Sequence, residues 1–364
     1  MNAAITVDGV TPNSPEAAEW LGLLARRYPD WRWRGGSPRD EADLLEGRHF
    51  LSPGLEFVPL LARRGTEAVG RCAVTFYRSG PAAYLGFFEC LDLSAAPALF
   101  DSAKEMATRR GATELIGPVD ASFWLGYRMK LDHFDARPYF GEPYNRPEYP
   151  DLWSEAGFSI TDRYSSTFYP WVPPAVMREA GWDPDGAQRR SSELGVELRP
   201  LRPREFDWAA GQIFELVMAL YAGLPAFRPL PKESFLRLFG ALKHVLDYQA
   251  TTVGVAGGRI VGFATYAPDY GRGLDVTGPG ATLRAALTLA RYRLRSQRYV
   301  CHYMGVERKY HGLGPLLVTC GTAALGRRGA SGIGSLIHES VPTSSYFAGA
   351  ITESHNYALW SARL

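Results

Sequence analysis

The sequence predicts an α/β (α+β) chain of two units, each a mixed, mainly antiparallel twisted sheet flanked by helices. Three observations carry this reading. The 364 residues exceed the size at which one hydrophobic core stops growing. In the first half, the apolar runs FVPLLAR, AVGRCAVTFY and AAYLGFFECL are followed by a stretch of helical spacing. In the second half the hairpin pattern returns as YQATTVGVAGGRIVGFATYAP.

Residues 1–50 are rich in Pro, Trp, Arg and Asp and read as an irregular or helical lead-in, with RRYPDWRWRGGSPRDE at the surface. The first unit, 51–170, opens with two strands on either side of the turn-forming RGTEA, and AAYLGFFECL adds a third. Residues 95–110 place Leu99, Ala103, Met106 and Ala107 on one helical face, with Gly111 as the stop. ATELIGP is a further strand. An aromatic and proline-rich segment runs from Ser122 to Tyr149, and the short helix DLWSEAGF precedes the strand RYSSTFYP. The prolines and charges of WVPPAVMREAGWDPDGAQRR mark a linker over 171–194. The second unit, 195–364, begins with VELRPLRPREF, continues as helices over 206–223 and 232–247, and reaches a hairpin turning at Gly257-Gly258. GGRIVGFATY and TEAVGRCAVTFY share a form that suggests a weak internal duplication, although any two hairpins share some of it.

Composition narrows the function. Apolar residues are 46% and charged residues 21% of the chain, which argues against long disorder. A net charge of +2 is too near balance for bulk attraction to nucleic acid, so no DNA partner is expected. The cysteines Cys72, Cys90, Cys301 and Cys320 form no CxxC pair, so reduced thiols are expected rather than disulfides or a zinc site. No apolar run approaches the length of a membrane span and no signal segment opens the chain, so a cytoplasmic protein without a membrane partner is expected. There is no GxSxG elbow and no HExxH spacing, which leaves hydrolase and metalloprotease chemistry unsupported; no metal is expected.

The most informative segment is YVCHYMGVERKYHGLGPLLVTCGTAAL, residues 299–325: a strand, a polar loop with Gly312 and Gly314, then an apolar helix. Glycines let backbone approach a ligand, and free amides opening a helix point at anions with the help of its dipole. A pyrophosphate suits such an end. The P-loop is excluded because no Gly-Lys-Ser/Thr closes the loop, and the GxGxxG fingerprint is absent. In this strand, loop and helix the chain resembles the GNAT superfamily of acyltransferases. His311 stands where members carry Arg or Gln, Gly314 matches, and Leu316 stands where they carry Gly or Ala. The first half also resembles bacterial GNAT-like proteins through VGR (69–71), GFFE (86–89), IGP (116–118), HFDARP (133–138) and PYNRPEYPDLWSEAGF (143–158). This likeness covers the chain from residue 57 to its end, less the linker.

The resemblance implies two GNAT-like domains, the first degenerate, and acyl-CoA as a co-substrate rather than a tightly bound cofactor. It places the donor against Gly305, Val306, His311, Gly312, Leu313, Gly314, Pro315 and Leu316. Acyl transfer to an amine needs a base for the ammonium and an acid for the departing thiolate. In IGSLIHESVPTSSYF, Glu339 at the strand end is the candidate base and Tyr346, in an expected following helix, the candidate acid; His302 is a further candidate. Tyr144, Asn145 and Tyr149 are either a wall for the small-molecule amine acceptor or a rigid turn packing one unit on the other. Related tandem proteins take aminoacyl-tRNA as donor, and Arg284, Arg291, Arg293, Arg295 and Arg298 in LRAALTLARYRLRSQRY offer a basic helix for tRNA. A GNAT-like binding protein without activity is the third class.

Overall fold

A computed structural model describes residues 4–27, 38–78, 80–171, 174–179, 183–274, 280–341, 343, 346 and 348–364. In chain order its strands are β1 (Ile5–Gly9), β2 (Leu55–Arg64), β3 (Glu67–Tyr77), β4 (Ala82–Cys90), β5 (Glu114–Gly117), β6 (Met129–Lys130), β7 (Ser159–Tyr169), β8 (Glu197–Pro200), β9 (Thr252–Ala256), β10 (Arg259–Pro268), β11 (Arg298–Val306), β12 (Ser331–His338) and β13 (Glu353–Arg363). Its helices are α1 (Pro15–Arg27), α2 (Pro38–Leu45), α3 (Ala96–Arg109), α4 (Tyr149–Glu155), α5 (Pro174–Glu179), α6 (Pro184–Glu193), α7 (Phe206–Tyr221), α8 (Lys232–Phe239), α9 (Leu242–Val245), α10 (Ala281–Arg295) and α11 (Leu313–Gly326).

The strands form one mixed sheet in the order β1-β2-β3-β4-β5-β13-β7-β12-β11-β10-β9-β8, with β6 attached to β13. Two stretches of it repeat. β2, β3 and β4 are antiparallel neighbours and β5 lies parallel to β4; β9, β10, β11 and β12 follow the same rule. Each parallel pair is joined by a crossover helix, α3 or α11, as parallel pairing requires. The two similar sequence runs are therefore β3 and β10, equivalent strands of the two stretches.

The repeats exchange strands at the centre. β13, the last strand of the chain, pairs with β5 (Trp360 opposite Gly117), while β7 pairs with β12 (Ile333 opposite Phe168). β7 and β13 pair with each other from Glu353–Phe168 to Ser361–Ser159. The expected division into 51–170 and 195–364 is thus crossed by continuous hydrogen bonding.

Burial on both faces explains why β3 reads as an unbroken apolar run. Its residues from Ala68 to Thr75 are buried, with α3 covering one face and α1 the other. The residue stretch read as a lead-in supplies part of this cover. β1 pairs with β2, and α1 sets Trp20 and Leu23 fully inside. Glu41, in the stretch assigned to the surface, is buried with its carboxylate 2.9 Å from the Arg71 guanidinium. Residues 28–37 of that stretch lie outside the described residues.

In the second half, α11 and α6 cover one face of β9 and β10, burying Ala187, Leu313 and Leu317; α7 and α8 cover the other with Leu216, Val217 and Phe235. α11 is apolar almost all round because it is covered nearly all round. The segment read as linker contributes α6 to this core, although residues 172–173 and 180–182 are not described. The single helix expected over 232–247 is two, broken at Gly240 between α8 and α9. No helix among the described residues is long and apolar enough to cross a membrane.

Candidate active site

The site follows from how β11 and β12 part. Their parallel ladder runs from Arg298–Ser331 to Cys301–Gly334 and stops there, although β11 continues to Val306 and β12 to His338. On its other edge β11 carries a bulge: Cys301 lies opposite Tyr266 and Tyr303 opposite Thr265, so His302 is the extra residue. Bulges re-aim side chains and are frequent beside active sites.

Two cavities meet at this opening. One, of about 350 Å³, runs under α11 between Tyr266, Cys301, Val318 and Leu325 and is almost wholly apolar. The other, of about 520 Å³, lies on the α7–α8 side; it is walled by Phe123, Trp124, Tyr127 and Arg128 and by β11 and β12 themselves. His302, Tyr303, Met304, Ser335, Ile337 and Thr343 line both. The two cavities therefore adjoin at the fork, on either side of these residues.

His302 stands in the shared wall. Its ring packs edge to face against Phe140 at 5.1 Å, and its Nε2 has no hydrogen-bond partner among the described residues. Desolvation lowers its pKa from 6.5 to about 4, so the imidazole is neutral at physiological pH and can accept a proton. Cys301 beside it is pushed the other way, to about 12, also by burial, and is a poor nucleophile.

The glycine loop opens α11 beside the apolar cavity. Gly312 takes the N-cap position with φ +85°, a left-handed conformation that few other residues adopt, and no side chain caps the helix. His311 and Gly312 are exposed, as are Arg308 and Lys309 before them, while Leu313, Gly314 and Leu316 are buried and Pro315 is partly so. Gly305 and Val306 end β11 beneath the loop, Gly305 pressed between Leu220 and Phe263. Tyr346 reaches this end of the helix from a turn rather than from the expected helix; a Cβ on Gly314 would lie 2.6 Å from its hydroxyl. Burial raises the Tyr346 pKa above its ordinary value, so the hydroxyl carries its proton at neutral pH. Pro342, Ser344, Ser345 and Phe347 of the same segment lie outside the described residues.

Not every expected residue gathers here. Glu339 follows β12 in an exposed turn and lines neither cavity; its neighbour His338 faces the larger one, with Nε2 3.2 Å from Asp162 and Nδ1 2.6 Å from the Ser340 hydroxyl. Tyr144, Asn145 and Tyr149 do line the larger cavity, but all three are buried and two are spent on the fold. The Asn145 amide clamps both backbone groups of Lys130, and the Tyr149 hydroxyl bridges Glu89 and the Cys90 amide. Arg128, which sequence reasoning did not single out, sits in the aromatic segment SFWLGYRMK; a cation framed by aromatics was the only signal for it.

One set of side chains among the described residues has donor atoms near enough to hold a metal: His133, Glu353 and His355. Glu353 already pairs with His133 at 3.3 Å and His355 at 3.0 Å, and the other His355 nitrogen meets Glu142 at 2.8 Å. The helix α10 is basic as expected and buries no residue; Arg293 donates to the His244 carbonyl, and Arg298 pairs with Asp269.

No family model matches the sequence, and no curated protein matches it. Among solved structures, the chain is similar to a tandem GNAT protein from the clavulanic acid biosynthesis pathway, at TM-score 0.52 and 15% identity over 99% of this chain and 98% of that one. It is similar to the GCN5-related glucosamine N-acetyltransferase region of a fungal multi-domain GH3 β-N-acetylglucosaminidase, at TM-score 0.50 and 14% identity over 99% of this chain but 38% of that one. A conserved protein from Enterococcus faecalis V583, described as a probable N-acyltransferase, is similar at TM-score 0.50 and 8% identity over 99% and 72% of the two chains. At such identities the likeness establishes the fold: a GNAT fold in tandem, its mixed sheet flanked by helices.

Proposed function

We propose that this chain is an N-acyltransferase that moves an acyl group from a coenzyme A thioester to an amine of a small molecule. The observation that carries the reading is the fork between β11 and β12, where an apolar slot and a larger, more polar cavity share one wall. The slot suits the donor. Its pyrophosphate would sit at the uncapped start of α11 beside Arg308 and Lys309, and its acyl end would run under the helix. The larger cavity suits the acceptor.

In this reading the amine attacks the thioester carbonyl across the fork. His302, held neutral by its burial, takes the proton that the ammonium must lose, directly or through one water. The carbon–sulfur bond breaks, and the Tyr346 hydroxyl at the start of α11 protonates the departing thiolate. His302 is preferred to Glu339 as the base because it faces both cavities, whereas Glu339 faces neither.

Calorimetry with acetyl-CoA and longer acyl-CoAs tests the donor. Each methylene buried in the slot should add about 0.8 kcal/mol, roughly a fourfold gain in affinity. The exposed arginines of α10, Arg284, Arg291 and Arg295, favour an aminoacyl-tRNA donor as the second reading. No heat with any thioester, together with binding of charged tRNA that weakens steeply with salt, would replace the first reading by the second.

A further inference from the structure

The 520 Å³ cavity contains a cation that its own acids do not answer. Asp120 in its wall accepts from the Phe87 amide at 2.6 Å. Glu142 is tied to Lys130 at 2.6 Å, to His355 and to the Tyr357 hydroxyl, and these contacts hold its carboxyl below the usual range against the opposing effect of burial. Asp162, behind the wall, is engaged by His338. Arg128 has none of them. Its guanidinium carbon lies 3.7 Å from the ring centre of Tyr127 and 4.4 Å from that of Tyr164, and it donates to the Tyr127 hydroxyl. Among the described residues no carboxylate pairs with it, and its Nε is buried without a partner.

The backbone is bent to put it there. Arg128 has φ +85°, rare for any residue but glycine, and is held by its amide's bond to the Pro118 carbonyl and by the bridge between Val119 and Tyr127. Such strain persists where surrounding structure imposes it, and it clusters at ligand clamps. A partly buried charge without a counter-ion favours an anion, which the ligand would have to bring. Arginine's planar fork matches a carboxylate, which can meet its terminal nitrogens.

We infer that Arg128 is the carboxylate-binding residue of the acceptor pocket, and that the acceptor is an amino-carboxylate whose apolar or aromatic body lies against Phe123, Trp124 and Phe140. The carboxylate on Arg128 turns the amine toward the fork. Only the amine rests on the acyl-transfer reading; the anion site rests on Arg128 itself.

The test uses the full chain with no thioester present. A panel of primary amines with aromatic and aliphatic bodies, each as free acid and as methyl ester, is titrated calorimetrically. At least one acid should bind on the order of ten- to a hundredfold more tightly than its ester, and Arg128→Gln should remove that difference. Arg128→Lys, which keeps the charge without the fork, should recover part of it; an unchanged melting temperature shows that either variant is folded. Acids and esters binding alike, a panel in which no acid binds, or acid binding unaltered in folded Arg128→Gln would each overturn the inference. Because no thioester is used, failure of the donor reading leaves this result standing. Thiol release that is indifferent to the acceptor's carboxylate sinks this inference alone.

Discussion

The parallel pairs β4/β5 and β11/β12 occupy equivalent places in the two repeats, yet one gap is plugged and the other is open. Beyond Tyr84–Ile116 the first pair is filled by the chain that follows β5: the Val119 amide bonds the Leu85 carbonyl at 2.8 Å, and a Cβ on Gly86 would lie 2.0 Å from the Val119 carbonyl oxygen. Trp153 packs against Gly117 from one face, within a cluster of Phe88, Phe100 and Phe158. The helix starts differ as well. Before α3 a 3-10 turn, Leu93–Ala95, intervenes, and Asp92 caps that turn by accepting from the Ser94 amide and pairs with Arg64, so a carboxylate of the chain stands one turn ahead of the helix. Before α11 there is only Gly312. The plug has a second use, since residues 118–128 that fill the first gap also bring Phe123, Trp124, Tyr127 and Arg128 to the larger cavity beside the second. The segment that fills one gap thus walls the cavity at the other.

The largest effect should come from the open fork. Removing a positioned base costs on the order of a hundredfold to ten-thousandfold in rate. His302→Gln should show such a loss with thioester affinity nearly intact, while Glu339→Gln stays close to the parent; equal losses in both variants would return the base to Glu339. At the plugged fork the cost is to stability. Trp153→Ala should lose about 3–5 kcal/mol by denaturant titration without gaining a second bound thioester, because the chain through Val119 still fills the gap. A second equivalent of heat would show that the plug alone distinguishes the two gaps.

Gly314→Ala should weaken thioester binding by roughly tenfold, on the scale of 1.4 kcal/mol, because the added methyl meets the Tyr346 hydroxyl and narrows the slot. Tyr346→Phe in that background should restore part of the affinity while turnover stays low. If binding is unaffected, the donor does not pass this point. The effect on pH dependence is confined to one window. His302 binds its proton less readily folded than unfolded, so its contribution to stability is complete above about pH 6.5 and is lost as pH falls through about 4. Melting temperatures across that window should fall less steeply for His302→Gln than for the parent.

Much of this architecture was legible in local pattern. Strand period, turn glycines and helix faces act between near neighbours, so the hairpins over 55–77 and 252–268, the helix after each third strand and the glycine loop before α11 could all be read from the chain. His302 and Tyr346 were legible as candidates because their strand and loop were. Glu339 follows β12 in an exposed turn while His338 before it lines the larger cavity, since successive side chains at a strand end face opposite sides.

What local pattern does not carry is pairing between distant segments. That β13 enters beside β5 while β7 lies beside β12 depends on which apolar edges remain free once both repeats have formed. Whether a fork is plugged depends on contacts such as Trp153 on Gly117, 36 residues apart in the numbering. The larger cavity is decided in the same way. Arg128 meets Tyr164 and faces β11 only because the exchanged strands draw the two repeats into one sheet, and a cation's lack of a counter-ion shows only once its neighbours are in place.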